Sequence, residues 1–335
     1  MSVPGPEPFT VALVQEAPVF LNLAATVARV EMLIAETAKR GARVVVFPET
    51  WLPGYPVWID SAPGAALWDD AGAKALYRLL IRNSLVLGDE PFARLQAAAD
   101  DAGLVVVIGA HERHGATLYN TTVTFDGQGG YKIHRKLTPT YTERLLWGAG
   151  DGSTLETTET SVGTVGGLIC WEHWMPLARA AMHAKHELLH VAQWPWVREL
   201  HQICSRQYAF EGQCFVAASG CVMTRGEMLD GFRTVGAGEA VALELLDSIP
   251  GDDDALMLEG GSCLIGPNGS LLTEPVYGED ATVYAEVDPA AAEEGRMVLD
   301  TDGHYSRPDV FSLHVDTRRR NNVETAAAAP EDEAR

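Results

Sequence analysis

The chain has 335 residues, of which 46 are Asp or Glu and 25 are Lys or Arg, giving a formal charge of −21. So acidic a protein is a poor partner for nucleic acid or an anionic membrane surface. No apolar run is long enough to span a bilayer, and Met1 to Pro8 lacks the basic-then-apolar pattern of a signal peptide. Five cysteines at irregular spacing argue against a disulfide framework, so a reducing, cytoplasmic setting is expected. The length allows one large α/β domain or two smaller ones.

In chain order, Phe9 to Gln15 alternates and reads as a strand. Asn22 to Arg40 has Leu23, Val27, Val30 and Ile34 at helical spacing, with Gly41 as the stop. Val44 to Phe47 is a short buried strand, which completes a βαβ unit. The spacing predicts helices over 71–86 and 89–102, a strand over 104–110, and an antiparallel partner over 118–125 that turns at Asp126 to Gly130. A basic segment from Tyr131 to Lys136 follows, then a proline loop carrying Glu143. Further on, a strand is predicted over 161–170, a helix over 175–185, a strand over 187–192, a helix over 196–211 and a strand over 214–219. The pattern weakens from Cys221 to Gly260, which reads as a long irregular excursion. Strands at 262–265 and 283–287 close the sheet, and residues 324–335, alanine with mixed charge, read as a disordered tail.

The whole is organised around Val165 to Pro176, a glycine-rich strand that ends at Cys170 with a proline six residues later. A cysteine at such a strand-to-helix turn is lifted out of the sheet, and free backbone N–H groups nearby can lower its pKa and bind an oxyanion. The plain alternative is a packed, inert thiol. Glu49 lies just past the second strand, at the sheet edge where sites form in α/β proteins, although taken alone a helix cap or a surface carboxylate is the more ordinary reading. Lys136 follows an edge strand, where lysines are commonly solvated.

Rival chemistries fit less well. His183, His186 and His190 with Glu187 have helical spacing for zinc, but the predicted helix stops near Lys185, so the rings would not share a face. There is no P-loop, no dinucleotide fingerprint and no nucleophile elbow of the serine hydrolases. His173 is close to Cys170 in sequence, yet at the start of the next helix it is badly placed to reach the thiol as a protease base.

Pro48-Glu49-Thr50, His134-Arg135-Lys136-Leu137 and Cys170-Trp171-Glu172 together resemble the nitrilase superfamily of carbon–nitrogen hydrolases. The likeness to the nitrilase branch continues through Thr138-Pro139-Thr140, Glu143-Arg144, Trp147-Gly148, Gly150 to Ser153, Met175-Pro176-Leu177, Gly303-His304-Tyr305 and Arg307 to Val310. It covers roughly Phe9 to Leu313.

The resemblance implies a four-layer αββα sandwich in one domain over 9–315, with 1–8 as an extension and 316–335 as a tail. It implies Cys170 as nucleophile, Glu49 as general base, Lys136 as the cation beside the developing charge, and Glu143 as the second, positioning glutamate. Trp171-Glu172 after the cysteine points to nitriles rather than amides. The product would be a carboxylic acid with ammonia, formed through a thioimidate and a thioester, with no metal or organic cofactor. Members commonly dimerise through the helices after the cysteine, and nitrilases often extend the dimer into spirals. His173-Trp174 departs from the smaller pair of many relatives, which bears on substrate choice. Trp51, Tyr55, Tyr141, Trp171, Trp174 and Trp196 cluster around the catalytic stretches and are candidates to line an apolar substrate pocket, which favours aryl, arylaliphatic or longer aliphatic nitriles over cyanide. An amide hydrolase of the same superfamily and a non-catalytic thiol switch are the alternatives.

Overall fold

The computed structural model describes residues 7–320. Strand β1 (Phe9–Val14), helix α1 (Leu23–Lys39) and strand β2 (Ala42–Val46) form the expected βαβ unit. The Asn22 side chain caps α1 by accepting from the Ala25 N–H at 3.0 Å, which satisfies one of the helix's first free donors. After the short α2 (Trp58–Ser61) come α3 (Ala71–Arg82) and α4 (Glu90–Ala102), then β3 (Val105–His114), β4 (Thr117–Phe125) and β5 (Tyr131–Arg135). Strands β6 (Thr158–Thr160) and β7 (Gly163–Ile169) lead to α5 (Pro176–His183), β8 (Leu189–Gln193), α6 (Glu199–Gly212), β9 (Phe215–Ser219) and β10 (Val222–Thr224). Helices α7 (Arg225–Arg233) and α8 (Ala240–Asp247), strands β11 (Leu256–Ile265), β12 (Val276–Tyr277) and β13 (Thr282–Val287), and α9 (Pro289–Gly295) complete the order.

The strands form two mixed sheets. One runs β13-β1-β2-β3-β4-β5, the other β10-β11-β9-β8-β7-β6, with β12 paired to β11. Strands β1, β2 and β3 are parallel, with Val11 opposite Val44 and Val44 opposite Val105. Strands β7, β8 and β9 are also parallel, with Ile169 opposite Gln193 and Gln193 opposite Ser219.

Three apolar cores make four layers. Val11, Leu13, Val44, Val46, Val105 and Val107 face Val165, Leu189, Val191, Phe215 and Leu264 in a dry layer between the sheets. The alternate residues of the first sheet, Ala12, Val14, Val45, Val106 and Ile108, pack outward on residues of α1, α3 and α4. Leu168, Ala192, Val216 and Ala218 pack outward on α5 and α6. Strands covered on both faces need apolar residues at both parities, which is why these read as continuous runs.

The stretch over 221–260 is not an irregular excursion. It holds α7 and α8, which bury Met228, Leu229 and Phe232, then Ala242, Leu245 and Leu246. Each amphipathic segment is only about two turns long, and glycines lie between them, so the helical period is easily missed. The helix predicted over 71–86 stops at Arg82, and the Leu85 N–H pairs instead with the His111 carbonyl at 2.8 Å. The helix predicted from Trp196 starts at Glu199; ahead of it the Val197 N–H pairs with the Gly260 carbonyl at 2.7 Å. Strand β6 was not expected. The predicted tail over 324–335 lies outside the described residues. No helix among the described residues is long and apolar enough to cross a membrane.

Candidate active site

The site forms at the carboxyl ends of β2, β5 and β7, where the two sheets meet. Glu49 leaves β2 in a tight loop whose next residue, Thr50, has φ +45°. The loop can lie this close to β3 only because residue 109 is glycine. A Cβ there would meet the Pro48 carbonyl oxygen at 2.3 Å and the Thr50 nitrogen at 2.4 Å. Cys170 sits at the turn that ends β7 with φ +52°, a left-handed conformation that is costly for a residue with a Cβ. The turn places its side chain at the floor of a cavity and begins a short 3₁₀ helix, Cys170–Trp174. The first N–H groups of such a helix, Trp171's among them, have no partner inside it.

Lys136 is not solvated. Its side chain is fully buried, and its ammonium bridges two carboxylates, 2.9 Å from Glu49 Oε1 and 2.7 Å from Glu143 Oε2. The Asn120 amide also donates to Glu49 Oε1 at 2.7 Å. Glu143 is held further by the Tyr55 hydroxyl at 2.9 Å and the Thr140 N–H at 2.6 Å. Glu49 Oε2 is buried without a hydrogen-bond partner among the described residues. Cys170 Sγ and one carboxylate oxygen from each of Glu49 and Glu143 lie within 4.8 Å of one another. Two carboxylates and a sulfur at that spacing could attract a metal ion, but the Lys136 ammonium already supplies the cation between the carboxylates.

Burial sets the protonation states. It pushes the Glu49 carboxyl up to about 7 against the pull of Lys136. Burial alone would pull the Lys136 ammonium down, but Cys170, Glu49 and Glu143 around it win and hold it above its ordinary value. The Cys170 thiol is pushed well up by burial and then by Glu49, outweighing the opposite effect of Lys136. Lys136 therefore does not produce a resting thiolate, as its proximity alone suggests. A thiol held above its ordinary 9 keeps its proton near neutral pH.

The cavity above Cys170 holds about 580 Å³ and is lined by Tyr55, Tyr141, Trp171, Trp174 and Trp196, all five candidate substrate-contacting residues. Trp51 is not among them; it is core, with its indole N–H donated to the Glu16 carbonyl at 2.7 Å. The sequence reading missed His201, which lines the same cavity and stacks on Trp194 at 4.3 Å with only 9° between the rings. Burial lowers its pKa to about 4, so its ring adds a neutral wall at neutral pH.

Glu172 was legible only as part of a motif. Its carboxylate, fully buried, accepts from the Ile169 N–H at 2.7 Å, the Leu137 N–H at 2.8 Å and His134 Nε2 at 2.8 Å. One side chain thus ties the end of β7, which carries Cys170, to the segment that carries Lys136. Burial opposes the charge on both partners, but each holds the other ionised: Glu172 lies below its ordinary 4.5, and His134 above its ordinary 6.5. A depressed carboxylate stabilises the fold above 4.5 and loses that contribution in acid. A raised histidine stabilises it below 6.5 and loses that contribution in base. The pair's contribution is therefore greatest between pH 4.5 and 6.5. Glu172→Gln should lose roughly 3–5 kcal/mol, as expected for one partner removed from a buried pair. Urea unfolding across pH should show the deficit peaking in that window; a flat deficit would mean that His134 is neutral.

The histidines considered for zinc are dispersed. His190 is bonded to Glu187 and His173, while His186 is exposed and 3.6 Å from Asp302. His173 reaches the Cys170 carbonyl oxygen at 2.8 Å through Nδ1, not the thiol.

Residues 10–297 match the family model described as carbon–nitrogen hydrolase. The chain is 40% identical over 323 residues to a nitrilase of Pseudomonas syringae pv. syringae (strain B728a), covering 92% of this chain and 89% of that protein. It is 38% identical over 337 residues to an aliphatic nitrilase of Rhodococcus rhodochrous, covering 95% and 82%. Among solved structures, the carbon–nitrogen hydrolase from Helicobacter pylori G27 superposes with a TM-score of 0.64 at 19% identity, over 90% of this chain and 97% of that one, a likeness of fold. Matches of this length and identity, on a chain with these two packed sheets, make the protein a member of the carbon–nitrogen hydrolase family, on its nitrilase branch.

Proposed function

We propose that this chain hydrolyses an organic nitrile to its carboxylic acid and ammonia, with Cys170 as nucleophile. The observation that carries the reading is Lys136 clamped between Glu49 and Glu143, with a carboxylate oxygen of each near Cys170 Sγ, at the floor of an aromatic cavity. A nitrile carbon is a weak electrophile, for which sulfur is a suitable attacker. As the Cys170 sulfur attacks, Glu49 takes the thiol proton and passes it to the nitrile nitrogen, leaving a thioimidate. Water deprotonated by Glu49 adds to that carbon, and the tetrahedral species expels ammonia to leave a thioester. A second water releases the acid and restores the thiol. In this reading Lys136 and the Trp171 N–H stabilise the negative charge that develops on the heteroatom of each tetrahedral intermediate, and losing one such donor typically costs roughly 3–4 kcal/mol.

The aromatic walls favour an aryl, arylaliphatic or longer aliphatic substituent over a small polar one. Ammonia release from matched nitriles and amides tests the reading. Release from nitriles supports it, and release from amides alone moves the protein to amide hydrolysis. Since Glu49 must accept a proton and burial pushes it up to about 7, kcat/KM should rise with pH through about 7 on the acid side. A profile flat down to pH 5 would remove Glu49 from the base role.

A homodimer, capable of growth into larger assemblies, belongs to the same proposal. Leu177 of α5 and Leu200, Ile203 and Phe210 of α6 are exposed apolar side chains on the helices after Cys170 and support it. A monomer mass by light scattering would set it aside.

A further inference from the structure

A second polar cluster lies behind the nucleophile, outside the cavity. The Tyr208 hydroxyl of α6 donates to Glu187 Oε2 at 2.6 Å. Glu187 Oε1 lies 2.9 Å from His190 Nδ1, His190 Nε2 lies 3.0 Å from His173 Nε2, and His173 Nδ1 lies 2.8 Å from the Cys170 carbonyl oxygen. All four side chains are buried. Room for the Glu187 carboxyl is made in β7 itself, where a Cβ at Gly166 would meet Glu187 Oε1 at 1.8 Å.

The two ends of this row fix its proton count. The Cys170 carbonyl can only accept, so His173 Nδ1 must carry a proton. A neutral His173 then has a bare Nε2, which requires a proton on His190 Nε2. That in turn leaves His190 Nδ1 bare unless a proton sits between it and Glu187. With that proton present, every donor points the same way, from Tyr208 to Glu187, His190, His173 and the Cys170 carbonyl. Without it, no tautomer works, and one contact in the row always sets two lone pairs against each other.

We propose that Tyr208, Glu187, His190 and His173 form one hydrogen-bonded row that carries an obligatory proton and, through it, positions the backbone of Cys170. The inference rests on the reading of Cys170 as nucleophile. It makes the four side chains positioning residues, since none touches the cavity. The left-handed turn at Cys170 is held in part by this buried row.

The electrostatics agree with the count. Burial drives His173 down to about 3 and His190 well below its ordinary value, so both imidazoles are neutral, and it pushes Glu187 up to about 7, so the carboxyl keeps the extra proton into the neutral range. His183 of α5, Lys185 just beyond it, Glu211 of α6 and Cys214 before β9 act on the Tyr208–Glu187 end. His183 again, with His134, Glu172 and Arg179, acts on the His190–His173 end. Raising pH through about 7 removes the shared proton and leaves a lone-pair clash in the row.

The test compares wild type with Glu187→Ala, Glu187→Gln and Tyr208→Phe. Ammonia release from a nitrile is followed across pH, and Cys170 alkylation by iodoacetamide is read by mass spectrometry. Glu187→Ala should lower kcat and the alkylation rate about 10–100-fold with KM little changed, the scale of a nucleophile displaced by an ångström. Glutamine is the neutral analogue of the protonated carboxyl, accepting from Tyr208 and donating to His190. Glu187→Gln should therefore restore most of the loss and abolish the alkaline decline near pH 7, while the acid side stays. Tyr208→Phe removes a hydrogen bond that lowers the Glu187 pKa, so the alkaline decline should move to higher pH. Glutamine as slow as alanine, or a decline unmoved in Tyr208→Phe, overturns the proposal. Should Glu187→Ala not fold, the other two variants decide. If wild type releases no ammonia from any nitrile, the nitrilase reading fails, and the alkylation rates still decide whether the row positions Cys170.

Discussion

Cys170→Ala should lose ammonia release by roughly 10⁴-fold or more while the protein stays folded, because on the proposed mechanism the sulfur forms the covalent bond. Cys170 is 4% exposed and faces the cavity rather than the dry layer between the sheets. Removing its sulfur therefore leaves the packing nearly intact, and the expected stability change is small beside the rate effect. Serine should not rescue activity. Glu49, with a pKa of about 7, is a weak base toward a hydroxyl, whereas a thiol is far more acidic. Ammonia release near the wild-type rate in Cys170→Ala would remove the thiol from the chemistry, and a matching loss of unfolding free energy would show that the sulfur is chiefly structural.

Lys136→Met should be damaged in both activity and stability, and in a pH-dependent way. The Lys136 ammonium is the counter-charge for two fully buried carboxylates at 2.9 and 2.7 Å. Without it, Glu49 and Glu143 face each other with Asn120, Tyr55 and the Thr140 N–H as their donors among the described residues. Stranding a buried charge typically costs about 3–5 kcal/mol. Glu49, already pushed up by burial and losing the pull of Lys136, would relieve this by binding a proton, so its folded pKa lies further above the unfolded one. Groups raised in the folded state contribute most below the unfolded pKa and lose that contribution as pH rises. The variant should thus approach wild-type stability near pH 5 and fall away toward pH 8, as read by urea midpoints. A deficit independent of pH would mean that the carboxylates are hydrated without the lysine.

How much of this was legible in the sequence depended on whether the signal was local. The valine runs of β2 and β3 and the capped α1 could be read directly, because period and capping are properties of a few neighbouring residues. Glu49, Lys136 and Cys170 each had an ordinary alternative, and only their combination resembled a family. Their meeting depends on contacts across the two sheets, which no window of sequence contains. Lys136 shows the difference: a lysine after an edge strand usually points to water, and this one is buried because Glu143 and Glu49 are brought to it from other elements. Glu172 acts through hydrogen bonds across 35 and 38 residues, and Asn120 through one across 71. A buried asparagine within a strand, where that residue is disfavoured, was the one local hint. Helices α7 and α8 were missed because each has only about two turns of amphipathic pattern.

The division of the site between the two sheets has a mechanical consequence. Glu49 and Lys136 travel with the first sheet and Cys170 with the second, and the layer between them is apolar and non-directional, so it resists separation better than slippage. What opposes slippage at this end is a small set of directional bonds, notably Glu172 to Leu137 and the Gln193 amide to the Phe47 carbonyl at 2.6 Å. A glide of one sheet over the other by about an ångström would disarm the cluster while leaving the valine layer in contact. Catalytic competence in this protein is therefore a gauge of alignment between two slabs, more sensitive than the integrity of either one.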